Sequence, residues 1–209
     1  MKIINTQVYG IKESFIRSGY PMQTGEPVDM SVKISEQDLK RVTKLASAKQ
    51  GSGHDNFLKG IIVQFDLQYP QYLTPQLQRY NWIDIVSSQS KMHRLTSVKS
   101  IQNNCNIFVL GSIINEINIL ISLYNEDNFP STYIDYSEED VHINSKEDCF
   151  KYIISNLPMG YELWMGITTN YLQLKTIYKQ RKTHKLDEWK YICNWVETLP
   201  YSYLITQKE

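Results

Sequence analysis

The sequence lacks the cysteine patterns of secreted and metal-binding proteins. Its 209 residues contain three cysteines, Cys105, Cys149 and Cys193, which are far apart in the chain and odd in number. Neither a C-x-x-C pair nor a disulfide spacing occurs, and this absence favours a reducing, intracellular setting. The N-terminal segment also lacks the charged, apolar and small-residue zones of a signal peptide. We therefore expect a cytoplasmic protein.

Net charge and uninterrupted apolar runs are absent as well. Lys and Arg together number 22, as do Asp and Glu, so the formal charge is zero. A balanced charge gives no general attraction to nucleic acid or acidic lipid, so any anion site has to be local. The longest apolar stretch, IFVLGSIINEINILISLY, is interrupted by Asn115, Glu116 and Asn118 and predicts a core helix rather than a membrane span. We expect neither a nucleic-acid nor a membrane partner.

Several catalytic signatures are missing too. The four histidines fall into no H-x-x-x-H or Cys-His spacing, so the sequence predicts no metal site. There is no G-x-S-x-G nucleophile elbow, and the segment SSQSK lacks the glycines of a P-loop. These absences argue against a zinc enzyme, an α/β-hydrolase and a Walker-type nucleotide-binding protein.

The apolar patterns that are present predict one mixed domain over residues 1–209. MKIINTQVYGIKESF predicts an edge strand, and FLKGIIVQFDLQY and YELWMGITT predict buried strands. Helices are predicted over 35–49, from Pro75, over 104–124, from Ser145, over 170–182 and over 186–198. A polar loop follows the Pro75 helix, and DYSEEDVHINSKED is predicted to be a solvated turn. No repeat or linker interrupts the chain, so we predict a single α+β domain with a central, mostly antiparallel sheet flanked by helices.

A dense group of polar side chains follows the second strand, in QLQRYNWIDIVSSQSKMHR. Gln76 and Arg79 are three residues apart on the predicted helix, so they share a face and offer an amide and a rigid guanidinium to a polar ligand. The segment SSQSK offers hydroxyl groups beside Lys91, which suit a phosphate. Taken alone, both features also fit an ordinary solvated surface.

Arg181 interrupts an apolar stripe on the predicted helix 170–182. Tyr171, Leu174 and Tyr178 precede it at helical spacing, so its guanidinium points along a core-facing surface. A guanidinium there needs a partner, because burying an unpaired charge is costly. The spacing leaves two alternatives open, a salt bridge to a carboxylate or an anionic or carbonyl ligand. A lone histidine such as His54, after a Gly-Ser-Gly turn, is more often structural.

Together these positions resemble the flavin-dependent thymidylate synthase family. That family has Gly-His before an apolar strand, a proline, then Q-x-x-R-H-R and a polar segment ending in Arg. The chain matches this first pattern with Gly53, His54, Pro70, Gln76 and Arg79.

The family's second pattern, near the C-terminus, is Leu-Pro, a strand ending in Asn and a helix ending in Leu-Arg. The segments LPMGYELWMGITTN and YLQLKTIYKQR reproduce this layout through Leu157, Pro158, Asn170 and Arg181. The resemblance therefore touches both halves of the chain.

The resemblance implies reductive methylation of dUMP to dTMP in a homotetramer whose active sites lie between subunits. Methylenetetrahydrofolate would supply the methylene group and NADPH the reducing equivalents, with FAD carrying the hydride. Arg181 is the expected catalytic residue, since it matches the arginine that grips the uracil edge and stabilises negative charge on the ring. The expected nucleotide contacts are Gln76, Arg79, Ser87, Gln89, Ser90, Lys91 and Arg181. The expected flavin-side residues are His54, Arg79, Tyr80, Asn81 and Asn170.

The chain departs from the family pattern at ligand-facing positions. R-H-R is replaced by Arg79-Tyr80-Asn81, the family Glu falls at Ser87, and the closing Ser-Gly-Arg is Gln89-Ser90-Lys91. Lys91 can still serve a phosphate as a point charge, without a bidentate fork. The family arginine that lies four residues before the proline of Leu-Pro is replaced by Ile154. These losses support a second hypothesis: a non-catalytic nucleotide-binding or scaffold protein of the same fold, or a relative that modifies another pyrimidine nucleotide.

Overall fold

The computed structural model describes residues 1–49, 51–129, 133–134 and 140–207. Its strands are β1 (Lys2–Tyr9), β2 (Ile62–Pro70), β3 (Asp84–Ser88), β4 (Tyr133–Ile134), β5 (Asp140–Val141) and β6 (Glu162–Asn170). Four of them form an antiparallel sheet in the order β1-β2-β6-β3, and β4 pairs with β5 in a small antiparallel sheet. The predicted α+β class with a central antiparallel sheet is confirmed, and β1 is an edge strand as its pattern predicts.

The helices include long ones that follow the predicted periodicity and several of only one or two turns. They are α1 (Ile11–Arg17), α2 (Glu36–Ala46), α3 (Thr74–Leu77), α4 (Lys91–Arg94), α5 (Gly111–Glu126), α6 (Lys146–Asn156), α7 (Tyr171–Arg181), α8 (Asp187–Glu197) and α9 (Tyr203–Thr206). The predictions of α2, α6, α7 and α8 are confirmed. At the start of α2, the Ser35 hydroxyl accepts a hydrogen bond from the Asp38 amide while the Asp38 carboxylate accepts one from the Ser35 amide. This reciprocal pair satisfies two backbone donors that the first turn of a helix leaves unpaired.

The chain divides into two compact units. Unit 1 comprises residues 1–2, 68–76 and 87–165, and unit 2 comprises residues 3–67, 77–86 and 166–209. The single domain over residues 1–209 stays a prediction.

The core of unit 2 is built on α7, which packs against α8, α9 and the short 3₁₀ helix Asn56–Gly60. Its largest fully buried side chains include Trp189, Tyr171 and Phe15. Between β1 and α1 the backbone turns at Gly10, which has a φ of 75°. A side chain at Gly10 would place its Cβ within 2.4 Å of the Gly60 carbonyl oxygen, so only glycine fits this close approach.

The core of unit 1 centres on the packing of α5 against α6, with Ile117, Leu120 and Ile153 buried. Prediction placed the start of α5 at residue 104, but the helix begins at Gly111. The residues before it are held in extended pairing instead: Cys105 forms a bridge with Tyr161, and the Asn106 amide donates to the Gly160 carbonyl. Long-range pairing with the start of β6 therefore overrides the local helical pattern.

The polar stretch after β2 differs from its prediction. The helix predicted from Pro75 forms, but it is a single turn that ends at Leu77. The predicted polar loop is wrong, because it contains β3 and α4. The five residues of β3 are all exposed, so they lack the alternation by which a half-buried strand is recognised. Of the acidic stretch predicted as a solvated turn, residues 135–139 lie outside the described residues, and residues 140–141 form β5.

A buried ion pair fixes α7 within unit 2. The Lys175 ammonium lies 2.7 Å from the Asp55 carboxylate and also donates to the Ala46 carbonyl, and the two side chains are 9% and 5% exposed. Each charge is stable in the core only because the other compensates it.

We predict that Asp55→Asn lowers the free energy of unfolding by about 3 kcal/mol, because it leaves the Lys175 charge buried without a counterion. Urea denaturation at neutral pH measures the change. Asp187→Asn is the matched control, since Asp187 also lies 2.7 Å from a lysine, Lys190, but is 88% exposed. We expect no measurable change in the free energy of unfolding of Asp187→Asn. Equal losses in the two variants would contradict the conclusion that Asp55 compensates a buried charge.

Candidate functional site

The predicted site residues belong to both units. Unit 2 holds His54, Arg79, Tyr80, Asn81, Asn170 and Arg181, and unit 1 holds Gln76, Ser87, Gln89, Ser90 and Lys91. Each group is described within its own unit.

Arg181 is the last residue of α7 and follows the predicted stripe. Tyr171, Leu174 and Tyr178 are buried, and Arg181 is half-buried. Its Nε donates a hydrogen bond of 2.7 Å to the hydroxyl oxygen of Tyr80. The apolar stripe thus ends in a guanidinium that is held at the edge of the core of unit 2.

Aromatic rings cover this guanidinium. Its central carbon lies 4.7 Å from the ring centre of Trp189 and 5.6 Å from that of Tyr80, and the two rings meet edge to face at 5.8 Å. Both contacts are within the range of cation–π attraction. The Tyr80 hydroxyl also donates to Gln180 Oε1 at 3.1 Å, so the same oxygen that accepts from Arg181 is itself fixed.

Within the described chain Arg181 is held by a tyrosine hydroxyl rather than by the salt bridge that was one of the two alternatives, and the other alternative, an anionic or carbonyl ligand, stays a prediction. Among the described residues no carboxylate forms an ion pair with it, and its charge faces a phenol and two rings instead. The terminal amino groups Nη1 and Nη2 form no hydrogen bond with any described residue. A planar ligand that presents two acceptors would therefore meet a guanidinium that is already oriented.

The turn after α3 decides which of three neighbouring side chains faces inward. The Tyr80 amide donates to the Leu77 carbonyl, and Tyr80 is buried at 8% exposure. Arg79 and Asn81, on either side of it, are exposed. The expectation that Gln76 and Arg79 share a helix face is wrong, because α3 ends at Leu77 and Arg79 lies in the turn beyond it.

His54 lines a cleft of unit 2 with a volume of about 440 Å³. Its ring is exposed beside Phe57, the cation of Arg17 and the hydroxyl of Ser18. Asn170, by contrast, is buried, and its Oδ1 accepts a hydrogen bond from the Gln173 amide. Asn170 therefore caps α7, and its expected contact with a flavin stays a prediction.

In unit 1 the segment from Ser87 to Lys91 leaves β3 and enters α4. Ser87 is exposed, and Gln89 exchanges hydrogen bonds with Trp164: its amide donates to the Trp164 carbonyl, and its Oε1 accepts from the Trp164 amide. Ser90 precedes α4. The Lys91 ammonium donates to Gln71 Oε1 at 2.7 Å. Gln76 is half-buried and has a polar partner of its own.

Sequence reasoning missed three residues of these surroundings: Trp189, Gln71 and Arg94. Trp189 lies in the predicted helix 186–198 but reads as an ordinary core residue. Gln71 follows Pro70 directly and carries no motif. Arg94 is the last residue of the polar stretch and lies three residues after Lys91. That spacing would have indicated that the two side chains share a helix face.

The described part of the chain contains neither a cluster of metal ligands nor a membrane-spanning helix. Within residues 1–49, 51–129, 133–134 and 140–207, no group of three His, Cys, Asp or Glu side chains is placed to hold a metal ion. Over those same ranges, no helix has the length and apolar character needed to cross a bilayer.

The fold has known counterparts, although no protein-family model and no curated protein matches the sequence. A crystal structure of the flavin-dependent thymidylate synthase ThyX from Helicobacter pylori, complexed with FAD and dUMP, has a TM-score of 0.68 at 16% identity and covers 99% of each chain. A second structure of ThyX from Helicobacter pylori with FAD and dUMP has a TM-score of 0.69 at 15% identity, with 99% and 98% coverage. The chain has the fold of the flavin-dependent thymidylate synthases.

A third solved structure with a similar fold belongs to another enzyme. The UMP/dUMP methylase PolB from Streptomyces cacaoi, bound with 5-Br dUMP, has a TM-score of 0.57 at 12% identity and covers 94% of this chain and 89% of its own. Identities this low show the ThyX fold alone. The family resemblance read from dispersed residues is confirmed at that level.

His184 reports on the charge of Arg181. Its Nδ1 accepts a hydrogen bond from the Leu186 amide, and its ring lies 6.4 Å from that of Trp189. Partial burial, together with the positive charges of Arg181 and Lys185, lowers the pKa of His184 below its usual range.

We predict that Arg181→Gln raises the pKa of His184 toward its ordinary value, because the substitution removes a nearby positive charge. An NMR titration of the His184 ring measures the shift. Arg17→Gln removes a cation elsewhere in unit 2 and should leave this pKa unchanged. A His184 pKa that is the same in wild type and Arg181→Gln would place the Arg181 charge away from this cluster.

Proposed function

We propose that the chain binds dUMP and methylates it reductively to dTMP, as a divergent flavin-dependent thymidylate synthase. The observation that carries the proposal is the arrangement of Arg181, whose Nε is held by the Tyr80 hydroxyl while Nη1 and Nη2 remain open to a ligand. Uracil presents carbonyl oxygens at the edge of a planar ring, which suits a guanidinium fork. The three solved structures of similar fold named above contain dUMP or its 5-bromo analogue.

The proposed role of Arg181 in the reaction is electrostatic. Methylation of the uracil ring passes through states in which negative charge develops on the pyrimidine, and a fixed guanidinium at its edge stabilises that charge. Trp189 and Tyr80 strengthen the effect in two ways. They keep water from one side of the guanidinium, and they hold its orientation before the ligand arrives.

The cleft at His54 fits the chemical groups of FAD. Phe57 offers a ring for stacking, Arg17 a cation for a phosphate, and His54 and Ser18 hydrogen-bonding groups. Its volume of about 440 Å³ lies within the usual range for small-molecule sites. Bound there, FAD would supply the hydride transfer that the side chains cannot perform. The expected roles of Arg79, Asn81 and Asn170 beside the flavin belong to the same proposal.

Tyr80 is proposed to hold Arg181 rather than the flavin. Its hydroxyl is engaged by Arg181 and Gln180, and its ring packs on Trp189. NADPH and methylenetetrahydrofolate as co-substrates, a homotetramer and a cytoplasmic location are part of the proposal and rest on the family resemblance. So do nucleotide contacts from Gln76, Ser87, Gln89, Ser90 and Lys91.

A second candidate function is nucleotide binding without catalysis. The contacts of Tyr80 favour it, because the residue that stands in place of the family histidine points into the core of unit 2 instead of toward a ligand. The exposed amide of Asn81 and the apolar side chain of Ile154 replace two arginines of the family pattern. A protein of this kind would retain the nucleotide and lose the flavin.

The visible spectrum of the purified protein, followed by titration with FAD and then with dUMP in a calorimeter, distinguishes the candidates. Flavin absorbance or FAD uptake, together with dUMP binding and dTMP formation when the co-substrates are added, supports the synthase. Binding of dUMP without flavin supports the second function. If neither ligand binds, both proposals are wrong.

We predict that Arg181→Ala weakens dUMP binding by about 2 kcal/mol, roughly 30-fold in Kd, because it removes charge-assisted hydrogen bonds to the base. Calorimetry measures the affinity, and circular dichroism checks that the variant is folded. Lys182→Ala removes the adjacent, exposed cation and serves as the control. Equal dUMP affinities in wild type and a folded Arg181→Ala would exclude Arg181 from the nucleotide site.

A further inference from the structure

Unit 2 contains a second cleft, which the candidate site does not use. It has a volume of about 320 Å³ and lies between the end of α2, one face of α7 and the segment that contains α9. Neither His54 nor Arg181 lines it. Its lining includes four lysines instead: Lys49, Lys175, Lys179 and Lys182.

The walls of this lysine cleft are joined to one another at the carbonyl oxygen of Ala46, the last residue of α2. This oxygen accepts hydrogen bonds from the Lys175 ammonium of α7 at 2.6 Å and from Gln207 Nε2, just after α9, at 2.9 Å. The charge of Lys175 is compensated in the core by Asp55, so Lys175 belongs to the frame of the cleft. The three elements are therefore held together before any ligand binds.

The other three lysines carry their charge at the surface of the cleft. Lys49, Lys179 and Lys182 are all exposed. Lys179 and Lys182 follow Lys175 at intervals of four and three residues, so the three side chains leave one face of α7 and its C-terminal cap. Like charges at this spacing repel one another. The whole chain has a formal charge of zero, so the positive charge of this face is a local concentration.

Carboxylates do not compensate this charge in the part of the chain that the structure describes. None of the described residues that line the cleft is Asp or Glu. Neither Lys49 nor Lys182 forms an ion pair within residues 1–49, 51–129, 133–134 and 140–207. The Lys182 ammonium lies 5.9 Å from the ring centre of Tyr178, whose hydroxyl donates to Glu197 Oε1 at 2.6 Å. An anion in the cleft would supply the counter-charge that its lining lacks.

We propose that the lysine cleft binds a polyphosphate group, either free or as part of a nucleotide. Ammonium groups only donate hydrogen bonds, so their ligand has to be an acceptor. A chain of phosphates spreads several negative charges and acceptor oxygens over its length, which matches point charges that come from both α7 and the end of α2. The volume of about 320 Å³ lies at the small end of the range for ligand sites and suits a compact polyanion.

Calorimetric titration of the full chain with sodium triphosphate, ATP and inorganic phosphate, without divalent cations, tests the cleft. Triphosphate should bind more tightly than phosphate, with an affinity that falls as salt is added, because exposed charges are screened. Equal affinities for triphosphate and ATP would assign the site to the phosphate chain alone. Tighter binding of ATP would assign it to a nucleotide, and both results support the cleft.

Removal of single lysines locates the binding. Lys49→Gln and Lys179→Gln should each weaken triphosphate binding about fivefold, as expected for one exposed charge, and the double variant about 25-fold. Lys40→Gln is the matched control, because it removes an exposed cation of α2 that does not line the cleft. This control should bind triphosphate as wild type does.

Ala48→Glu tests the same cleft without removing a lysine. Ala48 lines the cleft, so a carboxylate there would pair with the lysines and take the place of the anion. Triphosphate binding should be lost while the melting temperature is kept or raised.

Three results would overturn the inference. Wild type that binds no triphosphate would do so, as would a folded Ala48→Glu that binds it as tightly as wild type. A loss in Lys40→Gln equal to that in the cleft variants would show a general attraction to a solvated basic surface. The inference goes beyond the proposed function and does not depend on it. Triphosphate binding in the cleft, found without any dUMP binding, would therefore support this site and contradict only the proposed function.

Discussion

The hydrogen bond from Arg181 to the Tyr80 hydroxyl is the interaction on which the candidate site depends. It joins residues 101 positions apart in the chain and ties the turn after α3 to the end of α7. A guanidinium beside a core normally finds a carboxylate, and a salt bridge of that kind would have used its terminal amino groups. The Tyr80 hydroxyl holds Arg181 by its Nε, and the rings of Tyr80 and Trp189 cover its guanidinium. The positive charge and the terminal amino groups therefore remain available to a ligand.

The main elements of the fold follow from strong local patterns, and the exceptions have physical causes. β2, β6, α7 and α8 are buried on the faces that their apolar spacing predicts. β3 escaped prediction because all five of its residues are exposed. The late start of α5 could not be read locally, since Cys105 pairs with Tyr161, which is distant in sequence.

A residue of the candidate site could be predicted where it breaks a sequence pattern. It could not be predicted where its role depends on contacts that only the folded chain makes. Arg181 is conspicuous because it ends an apolar stripe. The role of Tyr80 could not be predicted, because only the folded chain shows that the side chain replacing a family histidine turns inward and bonds to Arg181. Gln71 and Arg94 likewise carry no motif, and only the structure shows that Gln71 Nε2 and Arg94 Nη1 are buried without a hydrogen-bond partner among the described residues.

A crystal structure of the protein soaked with dUMP tests the central claim most directly. The account predicts that the edge of the uracil ring lies within hydrogen-bonding distance of Arg181 Nη1 and Nη2, while Nε keeps its bond to the Tyr80 hydroxyl. A nucleotide bound away from Arg181, or a carboxylate from another subunit occupying the fork in its place, would contradict it.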